Sequence, residues 1–246
     1  MTTAPLTASE VEELAVRFEE RTPQELLAWA ADRFGDRIVL TCSWQFQSSV
    51  LVHMLHELGA RVRIVELDTG LLFPETHATR EALIERYGIT VDTIRPQRTV
   101  DEQALDEGPE LWTRQPDRCC ELRKVLPLMR ALDGMDAWIT GIRREQSPTR
   151  ANARPVELDE TRGVVKIQPL VTWSVEDVMG YLYAHDVPFN ELHTRGYRSI
   201  GCMPCTQAVI DGDDERSGRW AGTDKIECGL HLPAQAVPES AADTPS

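Results

Sequence analysis

The sequence predicts an α/β fold: an open, mostly parallel sheet with helices on both faces, followed by an irregular C-terminal arm. Short apolar runs rich in β-branched residues alternate with longer segments of helical periodicity. This alternation is typical of βαβ units, whose crossover helices cover both faces of a parallel sheet. The 246 residues are 41% hydrophobic, which is enough for one substantial core. From about residue 187 the alternation gives way to Gly, Pro, Arg and Cys.

Two helices are expected before the first strand, because the N-terminal segment contains helix-start patterns. Ser9 is followed three residues later by Glu12, a spacing typical of a capping box. Thr22 and Glu25 repeat that spacing, with Pro23 in the first helical position, where proline is well tolerated. We therefore expect one helix to begin near Ser9 and another to begin after Thr22.

Four strands and four helices are then expected in alternation. The first strand, 37–43, is a short apolar run with β-branched residues, and the helix after it, 48–59, has apolar residues at helical spacing and ends at a glycine. The later segments follow the same two patterns, with strands at 61–69, 89–94 and 136–141 and helices at 74–88, 117–134 and 174–186.

Composition restricts the classes of partner. The chain has 40 acidic and 26 basic residues, a formal net charge of −14, which disfavours nucleic acid and acidic membranes as partners. It has no run of eighteen apolar residues and no secretory pattern at its start, so we expect no membrane segment and a cytoplasmic location. In that reducing compartment, six cysteines indicate metal or redox chemistry before structural disulfides.

One domain is expected, because the sequence has neither internal repeats nor a clear linker. We assign residues 1–232 to a single α/β domain that ends in a functional arm at about 206–232. The remaining residues, 233–246, are mostly Ala, Pro, Ser and acids, a composition that cannot bury enough apolar surface to fold, so a disordered tail is expected there.

Ligands of open α/β sheets bind at the carboxyl ends of the strands, and three predicted loops lie there: 42–49, 67–76 and 140–150. The first leads into a helix N-terminus, where free N–H groups can bind a phosphate, although a plain helix cap is the alternative. Six arginines gather in two short segments: Arg143, Arg144, Arg150, Arg154, Arg216 and Arg219. They indicate a pocket for a small anion, and arginine usage set by genomic base composition is the alternative.

Four cysteines in two pairs indicate a metal site. Cys119 and Cys120 are adjacent, and Cys202 and Cys205 form a C-x-x-C pair. Both tetrahedral zinc and iron–sulfur clusters use such thiolates. Zinc ligands are normally spaced by two to four residues, whereas neighbours on a helix point about 100° apart, so the adjacent pair favours a cluster and a locally distorted helix. Two buried pairs without metal are the alternative, and Cys42 is expected to be a core residue.

A further cysteine, Cys228, lies near the end of the chain with Lys225 and His231 close by in sequence. Together with several other segments, this cysteine makes the chain resemble the assimilatory sulfonucleotide reductases. The resemblance covers roughly residues 20–232 and rests on the segments LDTGLLFPET, TGIRREQSPTRAN, LHTRGYRSIGCMPC, DERSGRW and ECGLH. Members of that family have an adenine-nucleotide alpha-hydrolase-like fold. They reduce adenosine 5′-phosphosulfate (APS), or its 3′-phosphorylated form PAPS, to sulfite with thioredoxin as the partner.

The resemblance implies an APS reductase of the iron–sulfur-bearing branch, with one [4Fe–4S] cluster per chain. It makes Cys228 the nucleophile, with His231 and Lys124 as further catalytic residues. The implied cluster ligands are Cys119, Cys120, Cys202 and Cys205. The implied substrate-binding residues are Ser43, Gln47, Ser48, Asp68, Thr69, Gly70, Gly141, Arg150, Arg216 and Arg219. Lys225, His231 or a pocket arginine is expected to stabilise the thiolate, because a thiol of ordinary pKa is mostly protonated at neutral pH.

One loop departs from the branch pattern. The segment LTCSWQFQSSVLVH resembles the PAPS-reducing branch, whereas the four matched cysteines are those of the APS branch. We therefore expect APS as the substrate and leave PAPS, or use of both, open. The implied reaction is attack of a thiolate on the substrate sulfur, departure of AMP, and release of sulfite from an S-sulfocysteine by thioredoxin.

Two other functional classes are less consistent with the sequence. An ATP pyrophosphatase-like sulfur-transfer enzyme would need an SGGxDS loop, and a cluster-based redox sensor would need a DNA-binding helix pair with a basic face. The sequence has neither. It leaves the oligomeric state open, a homo-oligomer included.

Overall fold

The computed structural model describes residues 4–209, 215–223 and 225–231, and a six-stranded sheet lies at its centre. The strands are β1 (Ile38–Cys42), β2 (Arg63–Leu67), β3 (Val91–Ile94), β4 (Ala137–Ile139), β5 (Val156–Asp159) and β6 (Val164–Ile167). Their order across the sheet is β3-β2-β1-β4-β6-β5. All neighbouring strands are parallel except β5 and β6, which form an antiparallel pair at one edge.

Helices pack on both faces of this sheet, so the predicted fold class is confirmed. The helices are α1 (Ala8–Phe18), α2 (Pro23–Phe34), α3 (Phe46–Glu57), α4 (Pro74–Tyr87), α5 (Val100–Glu107), α6 (Leu111–Arg114), α7 (Pro116–Cys120), α8 (Leu126–Leu132) and α9 (Val175–Ala184). Ile38 and Leu40 of β1 belong to a core shared with α1, α2, α3 and α9, whereas Val39 belongs to a separate core shared with α8. Alternate side chains of one strand therefore serve opposite layers.

Strands β5 and β6 and helix α5 are not predicted by the sequence patterns. Strands β5 and β6 are four residues each and are joined by a tight turn, so neither makes a long enough apolar run to stand out. Helix α5 has no apolar stripe, because Leu105 is 87% exposed and Gln103 is its only buried residue. The predicted tail at 233–246 lies outside the described residues. Within the described segments, no helix combines the length and apolarity needed to span a membrane.

The predicted helix at 117–134 is interrupted. Helix α7 ends at Cys120, a π-helical turn follows over Glu121–Val125, and α8 then begins at Leu126. A single-turn π-helix shifts the register of the side chains after it, and such turns are frequent at functional sites. The local distortion expected after the adjacent cysteines is therefore present, directly after Cys120.

The first helix begins two residues earlier than a cap at Ser9 would place it. Thr7 is the N-cap, and Glu10 completes the capping box. The Thr7 hydroxyl accepts from the Glu10 amide at 3.3 Å, while the Glu10 carboxylate accepts from the Thr7 amide at 2.8 Å. Both residues fit the capping pattern as well as Ser9 and Glu12 do, so the sequence alone does not separate the two registers.

The strand order reverses direction between β1 and β4, and this point fixes where a ligand can bind. From β1 the chain proceeds outward through β2 and β3, then returns to add β4 on the other side. The loops after β1 and β4 therefore leave the sheet in opposite directions and open a crevice at its carboxyl edge. Open α/β sheets bind their ligands in such crevices.

A buried carboxylate fixes the first of these loops. Trp44, directly after β1, has a positive φ of 57° and is almost fully buried. Its indole Nε1 donates to Glu66 at 2.8 Å, and Glu66 also accepts from Thr93 at 2.7 Å and pairs with Arg80. Positive φ is uncommon for a bulky residue, and the hydrogen bond to a fixed, charged acceptor stabilises it.

A partly buried histidine that stacks on the first residue of α3 makes stability depend on pH. His193 stacks on Phe46 with ring centroids 3.5 Å apart, and its Nδ1 faces the Tyr197 carbonyl at 2.7 Å. Burial lowers the pKa of His193 from 6.5 to about 4. The unfolded chain therefore takes up this proton at a higher pH than the folded protein does, and stability falls as pH falls below about 6.5.

The quantity to compare is the loss of unfolding free energy when the pH is lowered from 7 to 4.5. We expect this loss to be about 2–3 kcal/mol larger for the wild type than for His193→Asn. Asparagine keeps a donor near the position of Nδ1 and cannot be protonated. The free energies come from urea denaturation at the two pH values, and each protein is compared with itself. Equal losses in the two proteins would contradict the assignment to His193.

Candidate active site

A cleft opens at the carboxyl edge of the sheet, where β1 and β4 diverge. Segments far apart in sequence line it, among them the loops after both strands, residues 199–201 and the end of the C-terminal arm. The structure brings eleven of the predicted site residues to its walls: Ser43, Gln47, Ser48, Thr69, Lys124, Gly141, Arg150, Arg216, Arg219, Cys228 and His231.

The loop after β1 and the start of α3 form the floor of the cleft. The Ser43 amide donates to the Ser48 hydroxyl at 3.0 Å, which closes the turn that leads into the helix. Gly141, which follows β4, packs directly on Gln47: a Cβ at Gly141 would lie 2.6 Å from the Gln47 Cβ. Only glycine allows this approach, so Gly141 lets the loop after β4 pack against the start of α3.

Two predicted contact residues, Asp68 and Gly70, do not line the cleft. Asp68 accepts from the Gly70 amide at 2.9 Å and from Nε of Arg95 at 3.1 Å, and Gly70 has a φ of 70°. These contacts form a tight turn after β2, for which a positive φ favours glycine. Thr69, between them, faces the cleft, and its hydroxyl lies 3.3 Å from the Cys202 sulfur. Asp68 and Gly70 therefore shape the turn that presents Thr69.

Three arginines, two of them buried and Arg216 nearly so, converge at one end of the cleft. Arg150 contacts Glu227 through Nη2 at 2.9 Å and Nε at 3.1 Å, and Arg216 contacts the other oxygen of Glu227 at 3.0 Å. Arg219 donates to the Ser199 hydroxyl at 3.4 Å and the Ile200 carbonyl at 3.3 Å. Burial lowers the pKa of Arg219, and the nearby charge of Arg216 lowers it further. Such a concentration of positive charge suits an anionic ligand.

The other clustered arginines brace the loop between β4 and β5 against acidic side chains. Arg143 pairs with Glu215 at 2.6 Å, Arg144 with Glu19 at 2.9 Å, and Arg154 with Glu12 at 3.0 Å, the last two reaching helix α1 and its C-terminal end. None of these three arginines lines the cleft. The prediction of an anion pocket thus separates into residues that face the ligand space and residues that hold the loop in place.

Cys228 lies in the wall of the cleft and is 8% exposed. Its amide donates to Glu227 at 3.1 Å, and its side chain packs with Cys120 and Trp220. Lys225 pairs with Asp117, and its ammonium lies 5.4 Å from the centre of the Trp220 ring. Lys225 is thus neutralised by a carboxylate, which leaves the pocket arginines and Lys124 as the cations nearest to the ligand space.

His231 packs on a tryptophan, close to several cationic side chains. Its ring stacks on Trp138 with centroids 5.2 Å apart and an angle of 14°. Burial brings the pKa of His231 well below its ordinary value, and the charges of Lys166, Arg150, Arg162 and Arg216 act in the same direction. A lowered pKa disfavours a positive charge on His231, while its catalytic role stays a prediction. His231 docks the arm, together with Arg162, which donates to the Gly229 carbonyl at 3.2 Å.

The four paired cysteines surround a second, smaller cavity beside the cleft. Cys119, Cys120, Cys202 and Cys205 line it together with Lys124, which also lines the main cleft. All four are free thiols. Burial raises the pKa of Cys119 to about 12 and of Cys205 to about 11. Such thiols are protonated unless a metal displaces the proton.

Four thiols around one cavity form a donor set that a metal centre could use. Among the described residues, no group of three or more His, Cys, Asp or Glu side chains is arranged to hold one metal ion directly. Four sulfurs distributed around a cavity match a group whose metal corners are spread over several ångströms. The π-helical turn after Cys120 supplies the local distortion that adjacent ligands require.

Several residues of the cleft were not predicted from the sequence. Trp44 and Trp138 line it, as does Glu215, and Glu227 bridges two of its arginines. The segment ECGLH shows that Glu227 precedes Cys228, but it does not show which arginines Glu227 contacts. The two tryptophans follow or lie in predicted strands, where a large apolar residue is ordinarily a core residue.

The fold and this site define a class of protein. Residues 37–208 match the phosphoadenosine phosphosulfate reductase domain, so the chain belongs to that family. It is 48% identical to a protein of Streptomyces coelicolor named adenosine 5′-phosphosulfate reductase, over 92% of this chain and 96% of the relative. A protein of the same name from Geobacillus thermodenitrificans is 47% identical over 87% of this chain and 92% of the relative.

Solved structures agree with this assignment. The phosphate complex of a phosphoadenylyl-sulfate (PAPS) reductase from Candida auris superposes with a TM-score of 0.74 at 29% identity, covering 85% of this chain and 100% of that chain. An FMN adenylyltransferase from Candida glabrata superposes with a TM-score of 0.58 at 15% identity, covering 92% of this chain and 81% of that chain. The second likeness concerns the fold alone.

The position of Arg219 can be tested without removing its charge. A Cβ at Gly201 would collide with the Arg219 guanidinium, which lies 4.5 Å from the centre of the Trp220 ring. We expect Gly201→Ala to weaken binding of inorganic sulfate, and Arg219→Ala to weaken it by roughly 1.5–3 kcal/mol, the value of a charge-assisted hydrogen bond. Titration calorimetry measures both affinities.

Gly180→Ala is the matched control, because a Cβ at that helical position meets nothing within 4 Å. It should leave sulfate binding unchanged. If Gly201→Ala and Arg219→Ala both bind sulfate as tightly as the wild type does, the anion site lies elsewhere.

Proposed function

We propose that this protein reduces APS to sulfite and AMP through an S-sulfocysteine on Cys228, in assimilatory sulfate reduction. The observation that carries the proposal is the position of Cys228 in the wall of a cleft that also contains Arg150, Arg216 and Arg219. A nucleophile and an anion site in one crevice are what transfer of an anionic group requires. The relatives named adenosine 5′-phosphosulfate reductase support APS as that substrate.

The two parts of the cleft suit the two parts of this substrate. The loop after β1 and the N-terminal end of α3 offer backbone N–H groups and the hydroxyls of Ser43 and Ser48 for the nucleotide. The arginines and Lys124 offer charge-assisted donors for the phosphosulfate end. A phosphate complex of the Candida auris relative supports an anion site in this fold.

The reaction exchanges bonds at sulfur. The Cys228 thiolate attacks the sulfur of the phosphosulfate, an Sγ–S bond forms, and the bond from sulfur to the bridging oxygen breaks, so that AMP leaves with the electron pair. A thiolate of thioredoxin then attacks Sγ of Cys228, and sulfite leaves with the electrons of the Sγ–S bond. The second thioredoxin thiol resolves the mixed disulfide and restores Cys228. We assign the protein, with thioredoxin as its partner, to the reducing cytoplasm.

The arginines act at the first step. They stabilise the negative charge that builds up on the departing phosphate, and they do so in a site where burial strengthens each contact. Lys124, shared by both cavities, is the cation that follows the cysteine pair on the same helical segment. We assign to it the orientation of the sulfate oxygens. His231 holds the arm through its stacking on Trp138 and so fixes the approach of Cys228.

We propose that Cys119, Cys120, Cys202 and Cys205 hold one [4Fe–4S] cluster. When bound, the cluster would tie helix α7 to the segment 202–205 through four thiolate bonds and would add its own charge to the local field. Helix α7 and that segment face each other across the small cavity.

PAPS is the second candidate substrate. The family model and the Candida auris relative are both named for it, and the loop after β1 resembles that branch. Sulfite release from APS and from PAPS, each with thioredoxin and at equal concentration, separates the two. A kcat/KM at least tenfold higher for PAPS would overturn the preference for APS.

Cys228 is expected to form a covalent intermediate. Without thioredoxin, enzyme mixed with APS should release about one AMP per active site and then stop, because the sulfonated cysteine cannot turn over. The protein should gain roughly 80 Da, located on Cys228 by peptide mass spectrometry. Cys228→Ser should lose both the burst and the adduct. An adduct on another cysteine would refute the assignment.

Iron is expected in the purified protein. We expect about four iron and four acid-labile sulfide per chain and a brown colour, as one cubane implies. Cys202→Ser should lose the iron, whereas Cys42→Ser and Cys228→Ser should keep it, because neither lines the small cavity. Elemental analysis decides, and stoichiometric zinc without visible absorbance would exclude the cluster.

A further inference from the structure

Glu227 is the one carboxylate that touches two of the three cleft arginines in the described part of the chain. Its two carboxylate oxygens contact different arginines: Oε2 accepts from Arg150, and Oε1 accepts from Arg216 at 3.0 Å. Only 5% of Glu227 is exposed. A buried carboxylate with this many charge-assisted bonds occupies the place where a ligand anion would find its donors.

The ionised state of Glu227 depends on those arginines. Burial alone would raise the pKa of Glu227, but the charges of Arg150 and Arg216 outweigh burial and lower it. Each partner needs the other, because an isolated buried charge is strongly destabilising. If a ligand anion pairs with one of the arginines, the buried charge of Glu227 loses part of the attraction that stabilises it.

Arg219 differs from its two neighbours. Its hydrogen bonds, within the segments that the structure describes, go to the neutral acceptors Ser199 and Ile200. Its Nε is buried without an acceptor. Glu227 thus already pairs with Arg150 and Arg216, whereas Arg219 has no anionic partner among the described residues and is the open donor of the anion site.

We infer that Glu227 is an internal substitute for the substrate anion, which occupies Arg150 and Arg216 while the cleft is empty and is displaced when the phosphosulfate binds. The inference rests on the proposed function, because it takes the phosphosulfate as the competing anion. The open donor, Arg219, makes the first contact, and the two paired arginines follow as the carboxylate leaves.

Displacement acts on the nucleophile directly. The Cys228 amide donates to the same oxygen of Glu227 that contacts Arg216. When the carboxylate moves, this hydrogen bond must break, and the backbone of Cys228 is released from the wall of the cleft. Substrate binding and the freedom of the attacking residue are therefore coupled through one side chain. Glu227 is a positioning residue in this scheme, since it touches no reacting atom.

The test compares anion binding in the full-length wild type and in Glu227→Gln, which keeps the shape and removes the charge. Inorganic sulfate should bind the variant roughly tenfold more tightly, because it no longer competes with a carboxylate. Adenosine, which has no anion, should bind both proteins equally. Glu215→Gln is the matched control: it removes another buried charge of the cleft, one that pairs with Arg143, and should give less than half of the increase.

A second measurement on the wild type does not depend on any variant folding. Hydrogen exchange of the peptide that contains Cys228 should become faster when sulfate is added, because the amide loses its acceptor. Equal sulfate affinity in wild type and Glu227→Gln, or unchanged or slower exchange, would overturn the role of Glu227. If AMP and APS do not bind the wild type at all, the proposed function fails instead, and the two failures are thereby distinguished.

Discussion

The structure depends on neutralising three arginines, two of them buried and Arg216 nearly so, at the carboxyl edge of a parallel sheet. Arg150 comes from the loop after β4, whereas Arg216 and Arg219 come from the arm. Charges of one sign in so small and dry a volume repel one another, and only an anion shared among them makes the arrangement stable. Glu227 provides such an anion for Arg150 and Arg216, and these ion pairs tie the end of the arm to the loop after β4.

The sheet and most of its helices were predictable, because their sequences follow the two periodicities of buried strands and amphipathic helices. Strands β5 and β6 were not, since four-residue strands joined by a tight turn produce no long pattern. Helix α5 buries Gln103 and exposes Leu105. Its register therefore depends on Arg123, which donates a hydrogen bond to the Gln103 side-chain oxygen at 3.0 Å. Such a helix owes its place to a tertiary contact that no local pattern contains.

The site divides in the same way. The types of residue that form it could be predicted, since arginine and cysteine clusters have few other uses, but their pairing could not. Arg143 and Arg150 lie in the same loop and look alike in sequence, yet Arg143 contacts Glu215 and the Trp173 carbonyl while Arg150 faces the cleft. Which of two neighbouring arginines meets a ligand depends on the course of the chain over a few residues, and that is set by the 3₁₀ turns between them.

The described residues of the arm contribute no strand to the sheet. Backbone hydrogen bonds between residues 205–207 and 218–220 close the arm on itself, and the Val209 amide donates to the Gly196 carbonyl at 2.9 Å. The end of the arm contacts the cleft through the stacking of His231, the Arg162 bond to the Gly229 carbonyl and the Glu227 ion pairs. The nucleotide frame and the reactive thiol are thus separate modules of one chain. The same frame could serve a different reaction if a different terminal segment, carrying another reactive group, found the same three points of attachment.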